Sequence, residues 1–309
     1  MNNAEPSASS LATTTLQVKA APELRSRRWI RYHRWLNEAV VQIVLIGVSA
    51  VMLIPFVWLI STSLKIRGTE FTFPPVWIPR PAVWANYYTA FFDSGLPFPR
   101  FLLNTAIITG ANLVGVLFAG SLAGFGFARM RFPGRDKFFL LVLSTLMLPE
   151  IVTQIPSYLL FRLFGWIDTF LPLIVPAFLG GGAFNIFLFR QFFMTIPYEL
   201  DEAARIDGAG TWQIYTRVIL PLSKPVLSTV AIFTFLGNWN SFLGPLIYLN
   251  SLEKMTLAVG LRAFQGLRGT EWNLMMAAAA VMMAPVLIVF FAAQRYFIQG
   301  IVTSGFGGR

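Results

Sequence analysis

The chain has 309 residues, 56% of them hydrophobic and 12% charged, with a formal net charge of +10 and no cysteine. Soluble domains carry roughly 25% charged residues, so this composition points to a membrane protein. Disulfides and thiolate metal sites are excluded, and the basic residues lie in short clusters beside apolar segments, the positive-inside pattern, not the aromatic-interleaved basic face of a nucleic-acid binder.

Residues 1–37 are polar and end in a basic run that includes Arg25, Arg27, Arg28, Arg31, His33 and Arg34. They read as a disordered cytoplasmic tail whose basic end lies at the lipid headgroups. A six-span membrane domain is expected over 38–300, followed by a short cytoplasmic tail at 301–309. Its apolar segments run 39–63, 102–127, 138–160, 171–193, 226–249 and 274–298, each near the ~20 residues that cross a bilayer. The tail, the 129–137 and 190–225 loops and the C-terminus hold 16 of the 24 Lys and Arg, and the other three loops hold 8. Both termini are therefore expected on the cytoplasmic side.

Between the first two segments, Pro74, Pro75, Pro79 and Pro81 alternate with Trp77, Trp84, Tyr87 and Tyr88. These residues fit an interfacial aromatic belt or a rigid lip against a partner. The second segment holds Gly120 and Gly124, a spacing that lets helices pack closely, either within this chain or against another subunit. In the third, Pro149 and Pro156 flank Glu150 and Gln154. A carboxylate there costs roughly 2.5–3.5 kcal/mol on insertion scales, so Glu150 either faces a wet pathway or makes a structural polar contact. The prolines loosen the helix around it. In the fourth, Gly180–Gly182 followed by Asn185 marks a break or close approach.

The stretch 195–225 is polar and lies between two apolar segments. Pro197 suits a first helical turn, and Glu199, Asp201 and Glu202 follow where the helix dipole favours anions. Asp201 and Arg205 are spaced to pair on the solvent side, with Leu200, Ala203, Ala204 and Ile206 opposite. Gly208 and Gly210 end this helix, with Gly208 expected at positive φ. Thr211 can cap a second helix, which Pro221 stops. Glu202-Ala203-Ala204, Asp207-Gly208 and Leu220-Pro221 together resemble the EAA signature of ABC importer permeases. The resemblance implies a coupling helix that docks in a groove of an ATPase subunit.

The fifth segment carries Asn238, Trp239 and Asn240. Amides around an aromatic ring can hold a sugar, or can serve as interhelical bonds. The closing run Tyr296–Gly305 also resembles carbohydrate-type permeases, the maltose-permease-like members in particular, and the likeness extends over nearly all of the chain after residue 40. It implies an all-α, six-helix permease of the type I importer (MetI-like) fold in the inner membrane of a prokaryote. A second homologous permease subunit, two ATP-binding subunits that hold ATP and Mg, and an extracytoplasmic solute-binding protein are the implied partners. Glu150, Gln154, Asn185, Asn238, Trp239 and Asn240 are the expected pathway residues, for a di- or oligosaccharide or alternatively for glycerol-3-phosphate or a polyol.

No GxxxxGK[ST] loop is present, so the chain is not expected to hydrolyse ATP or to bind a cofactor itself. With one histidine and no cysteine, His-dependent triads and thiol catalysis are excluded from the membrane domain. An ion-coupled carrier would carry several intramembrane ionisable groups, and Glu150 is the only acid deep in an expected span. Because native cysteine is absent, single cysteines report topology directly. Ser94→Cys and Thr270→Cys should react with an impermeant thiol reagent added outside, and Thr211→Cys should not. The reverse pattern would invert the orientation.

Overall fold

Apolar runs become helices in a bilayer because a backbone without water must satisfy its own N–H and C=O groups. The computed structural model describes the backbone of residues 23–266 and 269–305, with side chains over 35–265 and 270–292. The chain divides into two units, residues 1–56 and 57–309.

The first unit is the greater part of α1 (Glu23–Ser63). Apart from Gln42 and Ser49, its side chains from Val40 to Ile54 are apolar, and they are exposed around the helix, as suits a lipid-facing span. Here the structure differs from the sequence expectation. The helix begins at Glu23, inside the stretch read as a disordered tail, while residues 1–22 and the side chain of His33 lie outside the described residues.

In the second unit the helices are α2 (Ala85–Tyr88), α3 (Phe98–Arg129), α4 (Arg135–Met147), α5 (Glu150–Leu163), α6 (Leu171–Phe178), α7 (Ala183–Thr195), α8 (Glu199–Ile206), α9 (Thr211–Leu222), α10 (Lys224–Trp239), α11 (Leu243–Tyr248), α12 (Leu257–Arg262) and α13 (Trp272–Gly305). An antiparallel ladder of two residues a side, β1 (Gln265–Gly266) with β2 (Gly269–Thr270), joins α12 to α13. Four helices over the described residues are long and apolar enough to cross a membrane, counting α6–α7 as one; with each of two bent pairs as one span the number is six.

Both bends have proline chemistry behind them. The expected 138–160 span is broken, with α4 and α5 meeting at 100°. Pro149 cannot donate to the α4 ladder and drives Leu148 into extended backbone, at φ −78° and ψ 118°. The second bend, 78°, separates α9 from α10 between Pro221 and Pro225. The freed carbonyl of Ile219 takes the hydroxyl of fully buried Ser223 at 2.6 Å. The expected 226–249 span also stops early, at Trp239, because the amides of Asn238 and Asn240 turn back onto the carbonyls of Thr234 and Leu236. Such local bonds compete with helix continuation.

Long-range packing is fastened by amides and hydroxyls that reach backbone carbonyls. Asn86 donates to Ser63 and Lys65, Asn104 to Glu253 and Met255, and Asn112 to Leu173, all between 2.8 and 2.9 Å. Two apolar cores result. One gathers Phe125, Phe189, Phe193, Ile214 and Tyr215, and the other gathers Phe98, Phe101, Trp239, Leu257 and Phe264.

The glycines expected to allow close packing do so within the chain. A Cβ on Gly124 would lie 2.5 Å from Cβ of Phe189 on α7. One on Gly181, whose φ is +73°, would lie 2.8 Å from both N and Cα of Gly120. The Gly180–Gly182 break is thus where α6 and α7 ride against the backbone of α3. Gly181→Ala should therefore destabilise the purified chain by about 2 kcal/mol or more, through strain and a backbone clash. Gly126→Ala, which meets nothing within 4 Å, should be neutral or stabilising by up to about 1 kcal/mol. Thermal unfolding in detergent, followed by tryptophan fluorescence, compares the two; equal melting temperatures would refute the packing assignment.

Candidate coupling site and substrate pathway

Helix α8 starts at Glu199, with Glu199, Asp201 and Glu202 in its first turn, and ends at Asp207–Gly208, where φ of Gly208 is +84°. The expected positive φ is therefore present. Nothing lies within 4 Å of the space a Cβ would take at Gly208, so strain and not crowding selects glycine there. At the start of α9 the structure corrects one detail. The cap is Gly210, whose N–H donates to Oε1 of Gln213 at 2.9 Å, and Thr211 is already the first helical residue.

A larger correction concerns Asp201. It does not pair with Arg205 on a solvent face; its side chain is 1% exposed and lies 3.6 Å from Nη1 of Arg129. Burial pushes its pKa up, with Arg129 and Arg205 opposing the shift. The inward turn of Asp201 places the apolar residues outward. Leu200, Ala203 and Trp212 are exposed, and Ile206 is 87% exposed. Glu202, Asp207 and Pro221 are exposed as well, whereas Ala204 and Leu220 pack against the core. The site thus offers an apolar ridge with carboxylates beside it, on a helix whose own anchor is buried.

The pathway candidates are not brought into one cluster. Glu150 stands exposed in the first turn of α5, immediately past the 100° bend, with half-buried Gln154 one turn on. The N-terminus of α5 favours its charge. Asn185 donates to the carbonyl of Gly181 at 2.7 Å, closing the glycine break. Asn240 is exposed and Asn238 half-buried. Trp239 differs from the rest. It is 5% exposed, stacks on Phe235 at 5.3 Å and donates its indole N–H to Met282 at 3.0 Å. Of the two roles open in the sequence, this conformation gives Trp239 the packing one, with its ring faces covered.

Sequence reasoning missed a second charged fastening. Asp168, the only non-glycine residue at positive φ among the described residues, accepts the backbone N–H groups of Asn250 and Ser251 at 3.0 and 2.9 Å. The Ser251 hydroxyl and the Lys254 ammonium donate to its other oxygen. These hydrogen bonds, led by that of Ser251, hold its carboxyl well below the usual carboxylate range. No local motif announces it, since the partners lie more than 80 residues away. Among the described residues no group of acids and histidines is arranged to hold a metal.

A helical protein with several candidate spans and an exposed acidic and apolar helix between them defines the class, a multi-span membrane protein. The family model described as "Binding-protein-dependent transport system inner membrane component" matches residues 115–303, and the chain belongs to that family. It is 35% identical over 266 residues to the sn-glycerol-3-phosphate transport system permease protein UgpE of Yersinia pestis, covering 84% of this chain and 94% of that protein. It is 29% identical to the probable ABC transporter permease protein YurM of Bacillus subtilis, covering 95% of this chain and 94% of that one. In a crystal structure of a bacterial ABC transporter involved in import of the acidic polysaccharide alginate, one chain superposes with a TM-score of 0.74 at 26% identity. The match covers 88% of this chain and 98% of that one. The protein is thus an ABC importer permease subunit and not an enzyme; ATPase activity lies in partner subunits.

The Asp168 clasp carries a sign that can be checked. A carboxyl whose pKa is lowered by folding contributes stability that is present above the unfolded value and lost as pH falls through the folded one. Wild type should therefore melt above Asp168→Asn at neutral pH, with the gap shrinking below about pH 4, near the ordinary aspartate value. A gap that widens on acidification would contradict the clasp.

Proposed function

We propose that this chain carries sn-glycerol-3-phosphate or a closely related phosphorylated polyol across the inner membrane by alternating access. The observation that carries this reading is the 35% identity, over 84% of the chain, to a permease named for that substrate. The di- or oligosaccharide expected from sequence resemblance is the second reading. What favours it is the 26% identity to the alginate importer, whose cargo is also an anionic, hydroxylated solute.

Anion transport needs cations and hydroxyl partners along the path. Arg262 and Gln265 border a recess of about 320 Å³ whose other walls include Phe242, Leu261, Met275 and Met276. A guanidinium against apolar walls binds phosphate more strongly than one in open water. Glu150, Gln154, Asn185, Asn238 and Asn240 are proposed pathway groups that, lying apart in this conformation, would meet the glycerol hydroxyls at different stages of passage. Both termini and the α8–α9 loop lie on the cytoplasmic side in this reading. A second homologous permease subunit completes the path, a solute-binding protein delivers cargo outside, and α8 docks through Ile206, Leu200 and Glu202 on one of two ATP- and Mg-binding subunits.

The decisive measurement is uptake into proteoliposomes that hold the whole importer and its binding protein. Labelled sn-glycerol-3-phosphate should be transported and maltose should not; the opposite preference would overturn the substrate. Glu202→Lys would add a cation to a cavity already lined by Arg129, Arg131 and Arg205. Gly208→Val would impose about 1–2 kcal/mol of strain at the turn. Both should abolish uptake while leaving the chain inserted. Normal transport in both would remove the coupling role of α8.

A further inference from the structure

One guanidinium ties together the ends of three elements. Arg129 closes α3, and its Nη2 donates to the carbonyls of Phe193 at 2.7 Å and Ile196 at 2.6 Å, where α7 ends. Its Nη1 lies 3.6 Å from Oδ1 of Asp201 in the first turn of α8, and both side chains are at least 96% buried. That distance is an ion pair without a hydrogen bond. Among the described residues, neither Asp201 oxygen has a hydrogen-bond partner. The guanidinium is therefore fixed on the α3–α7 side and slack on the α8 side. Beside it lies a cavity of about 340 Å³ bordered by Arg129, Arg131, Tyr198, Asp201 and Arg205, which leaves room for α8 to shift. The Tyr198 ring has the guanidiniums of Arg129, Arg131 and Arg205 at 5.7, 6.0 and 5.9 Å from its centre.

A buried pair with loose geometry is a poor stabiliser; apolar side chains of similar volume would anchor α8 as well or better. What a charge pair adds is attraction that persists as the separation changes, falling only as the inverse of distance in a poorly screened site. An apolar contact forfeits roughly a quarter to a half of its attraction once a gap of about an ångström opens.

We propose that Arg129 is a positioning residue that transmits displacement of α8 to α3 and α7, with Asp201 as its sliding contact. The inference deepens the proposed coupling role of α8 and rests on it. Arg129 grips two carbonyls where α7 ends, that of Ile196 just past the helix and that of Phe193, which also accepts the backbone N–H of Ile196 at 3.3 Å. A load applied at Asp201 therefore reaches both membrane helices through one planar group.

The test uses the complete importer in proteoliposomes, scoring ATPase co-purification, ATP hydrolysis and substrate transported per ATP. Asp201→Asn keeps shape and removes the charge; Arg129→Lys keeps the charge but replaces the planar fork, which spans the two carbonyls and faces the carboxylate, with a compact ammonium. Both variants should co-purify with the ATPase and hydrolyse ATP within about twofold of wild type. Transport per ATP should fall about tenfold, within the range of ordinary coupling free energies. Wild-type transport per ATP in Asp201→Asn would overturn the inference. So would a loss of complex that lowers transport and hydrolysis in parallel, which is the mark of a merely structural pair. Glu202→Lys separates the two readings: if it abolishes transport while Asp201→Asn does not, only the pair fails. Normal transport in Glu202→Lys and Gly208→Val would take down both.

Discussion

Wherever a helix stops or bends in this chain, carbonyls lose their partners in a setting with little water to replace them. An unpaired buried polar group costs about 1–3 kcal/mol, and more within hydrocarbon. The fold is arranged around that constraint. Arg129 takes the carbonyl of Ile196 just past α7 and adds a second bond to that of Phe193, Asn185 takes the one freed at the glycine break, and Ser223 takes the one at the bend before α10. Asn104 and Asn112 do the same between elements distant in sequence. Amide and guanidinium side chains suit the task because each offers several N–H donors from one planar group.

The same constraint explains what could be read from sequence and what could not. Apolar runs, the proline at 149, the glycine break at 180–182 and the positive φ at Gly208 each follow from a local rule. They were legible for that reason. The helix from Lys224 is shorter than its hydropathy predicts, since continuous hydropathy carries no sign that Asn238 and Asn240 bond back onto their own helix. Asp201 shows the same limit. An i, i+4 spacing to Arg205 is a local signal, but the partner that matters lies 72 positions earlier and became visible only in three dimensions. Asp168 gave no signal at all. Its role comes from backbone N–H groups of a loop far along the chain, which no composition or spacing can indicate. Trp239 is the converse case. Amides flanking an aromatic ring suggest ligand stacking as readily as packing, and only the covering by Phe235 and Met282 distinguishes the two.

The candidate coupling loop illustrates how one buried charge organises an exposed surface. A helix of eight residues cannot hold its own orientation by propensity alone. With Asp201 turned inward toward Arg129, the helical period forces Leu200, Ala203 and Ile206 outward. An acid on the solvent face would have buried that ridge. The short helix therefore shows apolar residues to the outside because its one buried residue is the charged one, the reverse of an ordinary surface helix.

Helix α3 gives this arrangement its reach. Thirty-two residues from Phe98 to Arg129 amount to roughly 48 Å of helix. At one end Arg129 holds α7 and faces α8; at the other, Asn104 and Thr105 hold the backbone at Glu253, Met255 and Leu257, in the region of the second core. Midway, a π-helical turn at Val116–Gly120 lies against Gly181, where backbones meet without intervening side chains. Such wide turns are rare inside α-helices and recur at functional sites. With a grip at each end, α3 ties the candidate coupling loop to both cores, so in the proposed transport cycle a shift of α8 would reach both through one helix.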